Sequence, residues 1–102
     1  MPKKSMDILT ESMFYVLMAL KEGPKCGTEI AEFITGRTKG RLQMGPATLY
    51  TILSKFEDEA YIREIHVSGR KRTYQITDKG CSAYSAELDR LKQCIADAQG
   101  GM

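Results

Sequence analysis

The sequence predicts a small α+β domain, mostly helical, in which three helices lead into a two-stranded hairpin and a long helix closes the chain. Three observations carry that expectation. Leu49, Ile52, Leu53, Phe56 and Ala60 form one apolar stripe at helical spacing behind Pro46, a residue suited to the first turn of a helix. A period of two follows, with Arg63, Ile65 and Val67 alternating with Glu64 and His66, then Arg72, Tyr74 and Ile76 with Thr73 and Gln75. A narrow apolar row then runs through Cys81, Tyr84, Leu88, Leu91, Ile95 and Ala98 at alternating steps of three and four.

Composition bounds the rest. A chain of 102 residues, 42% hydrophobic, builds one modest core. The net charge of +2 decides little, so the placement of charge matters more. Arg37, Lys39 and Arg41 lie together without an acid, as do Arg70, Lys71 and Arg72, whereas Glu57, Asp58 and Glu59 cluster at the far end of the central helix. Cys26, Cys81 and Cys94 are an odd, widely spaced set, which suggests neither a disulfide framework nor a zinc site. Buried free thiols are expected, with a redox role for Cys81 or Cys94 as the alternative. Nothing resembles a signal peptide and no run of about 18 apolar residues could span a membrane, so a soluble cytoplasmic protein is expected.

In order along the chain, residues 1–8 read as a flexible arm carrying Lys3 and Lys4. A first helix is expected from Thr10 to Glu22: Thr10 can cap it, Glu11 complements its dipole, and Gly23-Pro24 stops it. Its seven apolar residues between Met13 and Leu20 are too many for a one-sided surface helix. Either it is central to the core or one side meets a second chain. Cys26-Gly27-Thr28 reads as a turn, with Thr28 capping a second helix to about Gly36. A loop rich in Gly, Lys and Arg leads from Gly36 to Gly45.

The central helix opposes its apolar stripe with Ala47, Thr48, Thr51 and Lys55, with Tyr50 on the flank and no carboxylate before Glu57. A donor-rich front of that kind fits a major groove; a plain amphipathic core helix has the same pattern. The hairpin turns at Ser68-Gly69 and places its basic triplet at the tip. Those cations can reach phosphates or a minor groove, or simply discourage edge pairing. Joined to the helices before it, the hairpin describes the wing of a winged helix-turn-helix. The last helix, capped by Thr77 and running to about Ala98, is some 30 Å long, and its narrow seam suits a partner helix, giving a homodimer. Packing onto its own domain is the alternative. Residues 1–77 are therefore read as a winged helix-turn-helix DNA-binding domain and 78–102 as a dimerisation helix. There are no paired carboxylates, no nucleophile with a base, and no Gly-rich phosphate loop. His66 has no neighbouring ligand residues, so neither catalysis nor a metal or other cofactor is expected.

Three motifs then resemble the PadR-type transcriptional regulators: Leu20-Lys21-Glu22-Gly23-Pro24 with Gly27-Thr28-Glu29-Ile30; Gly45-Pro46-Ala47-Thr48-Leu49-Tyr50; and the run from Gly69 to Gly80. The resemblance covers Leu9 to about Leu91 and implies a dimeric winged helix-turn-helix repressor. Its central helix would read DNA and its wing would touch the backbone. The short C-terminal segment resembles the family's compact branch, with one dimerising helix. Cys26 and Thr28 stand where a His and a Tyr are common, and Thr73 replaces a frequent aromatic. If that Tyr helps to hold phosphate, Thr28 with the second helix's N-terminal amides does so here. Some relatives bind planar drugs between subunits through a Trp on the last helix; this chain has no Trp and offers Leu88 and Leu91 instead.

The functional expectation is a sequence-specific DNA-binding regulator, a repressor released by a small-molecule effector, with a small aromatic molecule as the candidate. It acts as a homodimer on a double-stranded DNA operator. DNA contacts are expected from Thr28, Pro46, Ala47, Thr48, Tyr50, Thr51, Lys55, Arg70, Lys71 and Arg72, and dimer contacts from Tyr84, Leu88, Leu91 and Ile95. The rival from another class is a winged-helix module that docks a protein and uses its wing cations only for solubility.

Overall fold

The computed structural model describes residues 8–100, so the arm expected at 1–8 falls outside them except for its last residue. Seven elements follow in order: α1 (Glu11–Lys21), β1 (Lys25–Cys26), α2 (Gly27–Arg37), α3 (Pro46–Asp58), β2 (Ile62–Ser68), β3 (Lys71–Ile76) and α4 (Asp78–Ala98). The winged helix-turn-helix architecture is present, with α4 as a long C-terminal helix.

α1 begins where its cap directs. Thr10 lies in extended backbone and its Oγ accepts from the Met13 amide at 3.1 Å. The helix buries Phe14, Val16, Leu17, Ala19 and Leu20, which places it at the centre of the core. The same core includes Ile30 and Ile34 of α2, Leu53 and Phe56 of α3, Tyr61 at the corner before β2, and Ile62 and Tyr74 of the sheet. Each such side chain, fully buried, contributes about 1.5 to 3 kcal/mol. The apolar surplus of α1 is thus absorbed within the chain: its Phe14 stacks on Tyr84 of α4, ring centroids 4.9 Å apart and planes 5° from parallel.

The sheet has three strands rather than two. β1 joins the hairpin in the order β1-β3-β2, all antiparallel, pairing Lys25 with Tyr74 and Cys26 with Thr73. This extension moves the start of α2. The helix begins at Gly27 with Cys26 as its N-cap, so Thr28 lies inside the first turn and is not the cap. The Glu29 carboxylate closes the arrangement by accepting from the Cys26 amide at 2.9 Å.

α3 carries its apolar stripe as expected through Leu49, Ile52, Leu53 and Phe56, all buried. Ala60 departs from it: it is exposed, lies beyond the helix, and has φ 62°. There the Tyr61 amide donates to Phe56 O at 2.8 Å and the Ala60 amide to Glu57 O at 3.0 Å, the helix ending that glycine usually supplies. Alanine is strained in this conformation. Ala60→Gly is accordingly expected to stabilise the chain by about 1 kcal/mol, read as a higher urea midpoint at unchanged slope. A lower midpoint would show that the corner depends on the methyl group.

β2 does not keep a strict period of two. Glu64 pairs with Tyr74 and His66 with Thr73, leaving Ile65 as a bulge. Ile65 and Val67 are both exposed, so the alternation read from the sequence does not mark a buried face.

α4 is fastened at its start. Thr77 Oγ accepts from the Gly80 amide at 3.1 Å and donates to Ala60 O at 2.6 Å, while the Thr77 amide donates to Tyr61 O at 2.9 Å. Further along, Glu87 is buried, meets the Leu9 backbone and is chelated by Arg90, whose guanidinium holds the carboxyl below the usual range. The expected apolar seam is therefore divided. Tyr84, Leu88 and Leu91 are half-buried and pack on the chain's own core, whereas Ile95 is 56% exposed. The cysteines also differ from expectation: Cys26 is buried, Cys81 half-buried and Cys94 exposed, all as free thiols. No helix of the described residues is long and apolar enough to cross a membrane.

Candidate nucleic-acid interface

Three elements converge on one open groove of about 460 Å³. The first turn of α2 supplies Gly27 and Thr28, α3 supplies Tyr50, and the hairpin tip supplies Arg70, Lys71 and Arg72. The tip is shaped by Gly69, whose φ of 62° makes the tight reversal that glycine adopts without strain. Four exposed donors and cations distant in sequence (Thr28, Tyr50, Arg70, Lys71) thus face one volume. The first turn of α2 borders the groove, and the dipole at a helix N-terminus favours an anion.

The groove is not purely cationic. Glu29 and Glu32 line it as well, and sequence reasoning passed over both. The Glu29 carboxyl is held below its ordinary range, chiefly by the hydrogen bond from the Cys26 amide, then by the Cys26 side chain, with Lys71 and Lys25 adding positive charge nearby. The signal for Glu29 was its position three residues after the N-cap. It went unseen because a Cys, not a Ser or Thr, occupies the cap.

Of the wing cations, Arg72 already has a partner, its Nη1 lying 3.3 Å from Glu64 Oε1 in a solvent-exposed pair. Arg70 and Lys71 make no ion pair among the described residues. Arg70 and Arg72 also border a second groove of about 250 Å³ with Tyr50, Ser54 and Glu57, closed by the buried Tyr74. Burial is the main reason that the Tyr74 phenol is pushed up from its ordinary range. It is a neutral floor.

The remaining candidates on α3 lie along its other flank. Ala47, Thr48, Thr51 and Lys55 line a shallow groove of about 290 Å³ with Met13 and Ile52, and Pro46 is exposed at the helix start. The Thr51 hydroxyl donates to Ala47 O at 2.9 Å, so its proton is committed to the helix. All ten expected DNA contacts are therefore on or beside the solvent face of α3, split between two flanks.

The second basic cluster, Arg37, Lys39 and Arg41, does not stand free of acids. Arg37 pairs with Glu22 at 2.7 Å and covers the Phe33 ring at 4.6 Å; Arg41 pairs with Glu11 at 2.8 Å and hydrogen-bonds the Tyr15 hydroxyl at 3.3 Å. Arg41 ties the loop after α2 back to α1, and Arg37 ties the last turn of α2 to the residue that caps α1. Partners 15 and 30 residues away in the chain are invisible to a local reading of charge.

Comparisons with known proteins agree with this geometry. Residues 16–86 match the model of the transcriptional regulator PadR-like family. An uncharacterized protein of Lysinibacillus sphaericus is 34% identical over 77 residues, spanning 72% of this chain and 70% of its own. Among solved structures, a transcriptional regulator from Clostridium thermocellum superposes with a TM-score of 0.78 at 22% identity, covering 90% of this chain and 96% of that one. Bacillus subtilis PadR in complex with operator DNA superposes with a TM-score of 0.68 at 22% identity, over 78% of this chain and 47% of its own. At these identities the structural matches bear on the fold, and the family rests on the sequence match over most of the chain. The chain belongs to the transcriptional regulator PadR-like family.

Proposed function

We propose that the chain is a sequence-specific DNA-binding repressor that acts as a homodimer through α4. The convergence of Thr28, Tyr50, Arg70 and Lys71 on one groove beside the solvent face of α3 is the observation that carries this reading. α3 enters the major groove with Thr48 and Thr51 toward the bases. Lys55 accompanies them, and Pro46 and Ala47 allow close approach at the helix start. The first turn of α2 and the wing hold backbone phosphates on the other flank. Residues 1–77 supply the DNA-binding unit. Residues 78–102 supply the dimer contacts, of which Leu88, Leu91 and Ile95 still have surface to offer while Tyr84 is engaged with Phe14.

A repressor of this kind is released by an effector that alters the α4 pairing. Room for a small aromatic molecule exists between α1 and α4, in a cavity of about 340 Å³ bordered by Phe14, Tyr15 and Leu91. It abuts the residues assigned to the dimer.

Salt dependence tests the wing. If Arg70 and Lys71 hold phosphates, Arg70→Ala and Lys71→Ala should each flatten the slope of log K against log salt by roughly 0.9. Arg72→Ala should do less, because a phosphate must displace Glu64 from that guanidinium. Fluorescence anisotropy on a labelled duplex between low and moderate salt reads this directly. A slope unchanged in all three variants rejects the wing as a DNA contact. Absence of binding to any duplex at low salt leaves the protein-docking module as the function of the fold.

A further inference from the structure

Tyr50 is half exposed, and its hydroxyl makes no hydrogen bond among the described residues. Its position is set from across the groove. A Cβ built on Gly27 would lie 2.6 Å from the Tyr50 hydroxyl oxygen and 3.0 Å from Cζ, closer than side chains pack. The ring therefore occupies the space that any other residue at position 27 would fill. We propose that Gly27 is the positioning residue for a backbone-phosphate clamp: the missing side chain seats the Tyr50 hydroxyl against the first turn of α2, beside Thr28 and opposite Lys71. This deepens the DNA-binding reading above and rests on it.

The chemistry follows from the donors gathered there. A phosphate oxygen accepts hydrogen bonds, and the clamp offers a phenol O–H, a threonine O–H, the α2 amides and an ammonium group. A hydroxyl is useful to such a ligand only at hydrogen-bonding distance, and a shift of one ångström forfeits most of the interaction. Gly27 is not in a left-handed backbone conformation, and it opens α2, so alanine fits the backbone there. What must yield is the far end of a two-torsion side chain. Fold stability should hardly register the change, while the clamp should.

The experiment is a double-mutant cycle on duplex DNA with the full chain, using Gly27→Ala, Tyr50→Phe and the two combined, with thermal melts in parallel. Gly27→Ala and Tyr50→Phe should each weaken DNA binding about tenfold, the loss of one hydrogen bond to a charged acceptor. Once the hydroxyl is gone, adding Gly27→Ala should cost less than about twofold, because nothing remains to misplace. All three variants should melt within about 2 °C of the parent, well under the shift for a lost kcal/mol in a domain of this size. Two independent, multiplying losses overturn the proposal, as does a Gly27→Ala variant that binds like the parent. If Lys71→Ala and Tyr50→Phe weaken binding while Gly27→Ala does not, only the positioning role fails. If all three are silent, the phosphate-groove reading fails with it.

Discussion

Gly80→Ala is expected to cost about 3 kcal/mol of folding stability, the upper end for a methyl group forced into a packed site. Gly80 is buried in the first turn of α4, where the helix crosses the corner between α3 and β2. A Cβ there would lie 2.7 Å from Ile76 Cγ1 and 3.0 Å from the carbonyl carbon of Tyr61, with the Tyr61 oxygen nearer still. That carbonyl accepts the Thr77 amide at 2.9 Å, so retreating from the new methyl breaks the bond that anchors α4. Neither obstacle is a side-chain tip that can swing aside. Gly36 of α2 is the natural control, because a Cβ at that position meets nothing within 4 Å. Gly36→Ala should stabilise by about 0.5 to 1 kcal/mol through helix propensity alone. Urea denaturation of both variants tests the contrast. A Gly80→Ala midpoint equal to the parent's would show that α4 can move off the corner freely.

If the chain pairs through α4 as proposed, breaking that pairing should give the largest loss in DNA affinity. Leu88→Glu with Leu91→Glu is expected to produce a monomer by light scattering and to weaken operator binding by about 100-fold or more, since a second half-site then adds nothing. Both leucines also touch the chain's own core, so that double variant can lose fold as well as dimer. Ile95→Glu separates the two. Ile95 is 56% exposed and lies past the last core contact of α4, so its replacement should leave the thermal melt intact while shifting the dimer toward monomer. A dimer unchanged in Ile95→Glu and in the double variant would place the interface elsewhere.

The helices were legible because their ends are written locally. Thr10 and Thr77 cap, Pro46 opens α3, and the apolar intervals of α3 match what is buried. β1 was not legible, since two residues have no period and Lys25-Cys26 becomes a strand only when β3 arrives beside it. The same pairing converted Thr28 from an expected cap into a first-turn residue. Spacing alone could not tell that Phe14 would cover Tyr84 in the α4 row. The candidate site was legible as residue types and as a wing. Its division into two flanks was not, because that depends on how far Tyr50 leans toward Gly27.

The central claim is that α3 reads DNA sequence while α2 and the wing hold the backbone. Thr48 has a hydroxyl free for a base or phosphate, whereas Thr51 has committed its proton to Ala47 and offers a lone pair and a methyl. Neither has the bidentate geometry of Arg or Asn, so shape readout and half-site spacing, about 34 Å on one face of the duplex, carry part of the specificity. The most direct measurement compares parent, Thr48→Ala and Thr51→Ala on the gene's own upstream DNA and on a random duplex, by mobility shift with competitor. Each substitution should cost about 1 to 3 kcal/mol on the operator and little on random DNA. Equal losses on both duplexes, or none on either, would contradict the assignment of α3 as the reader.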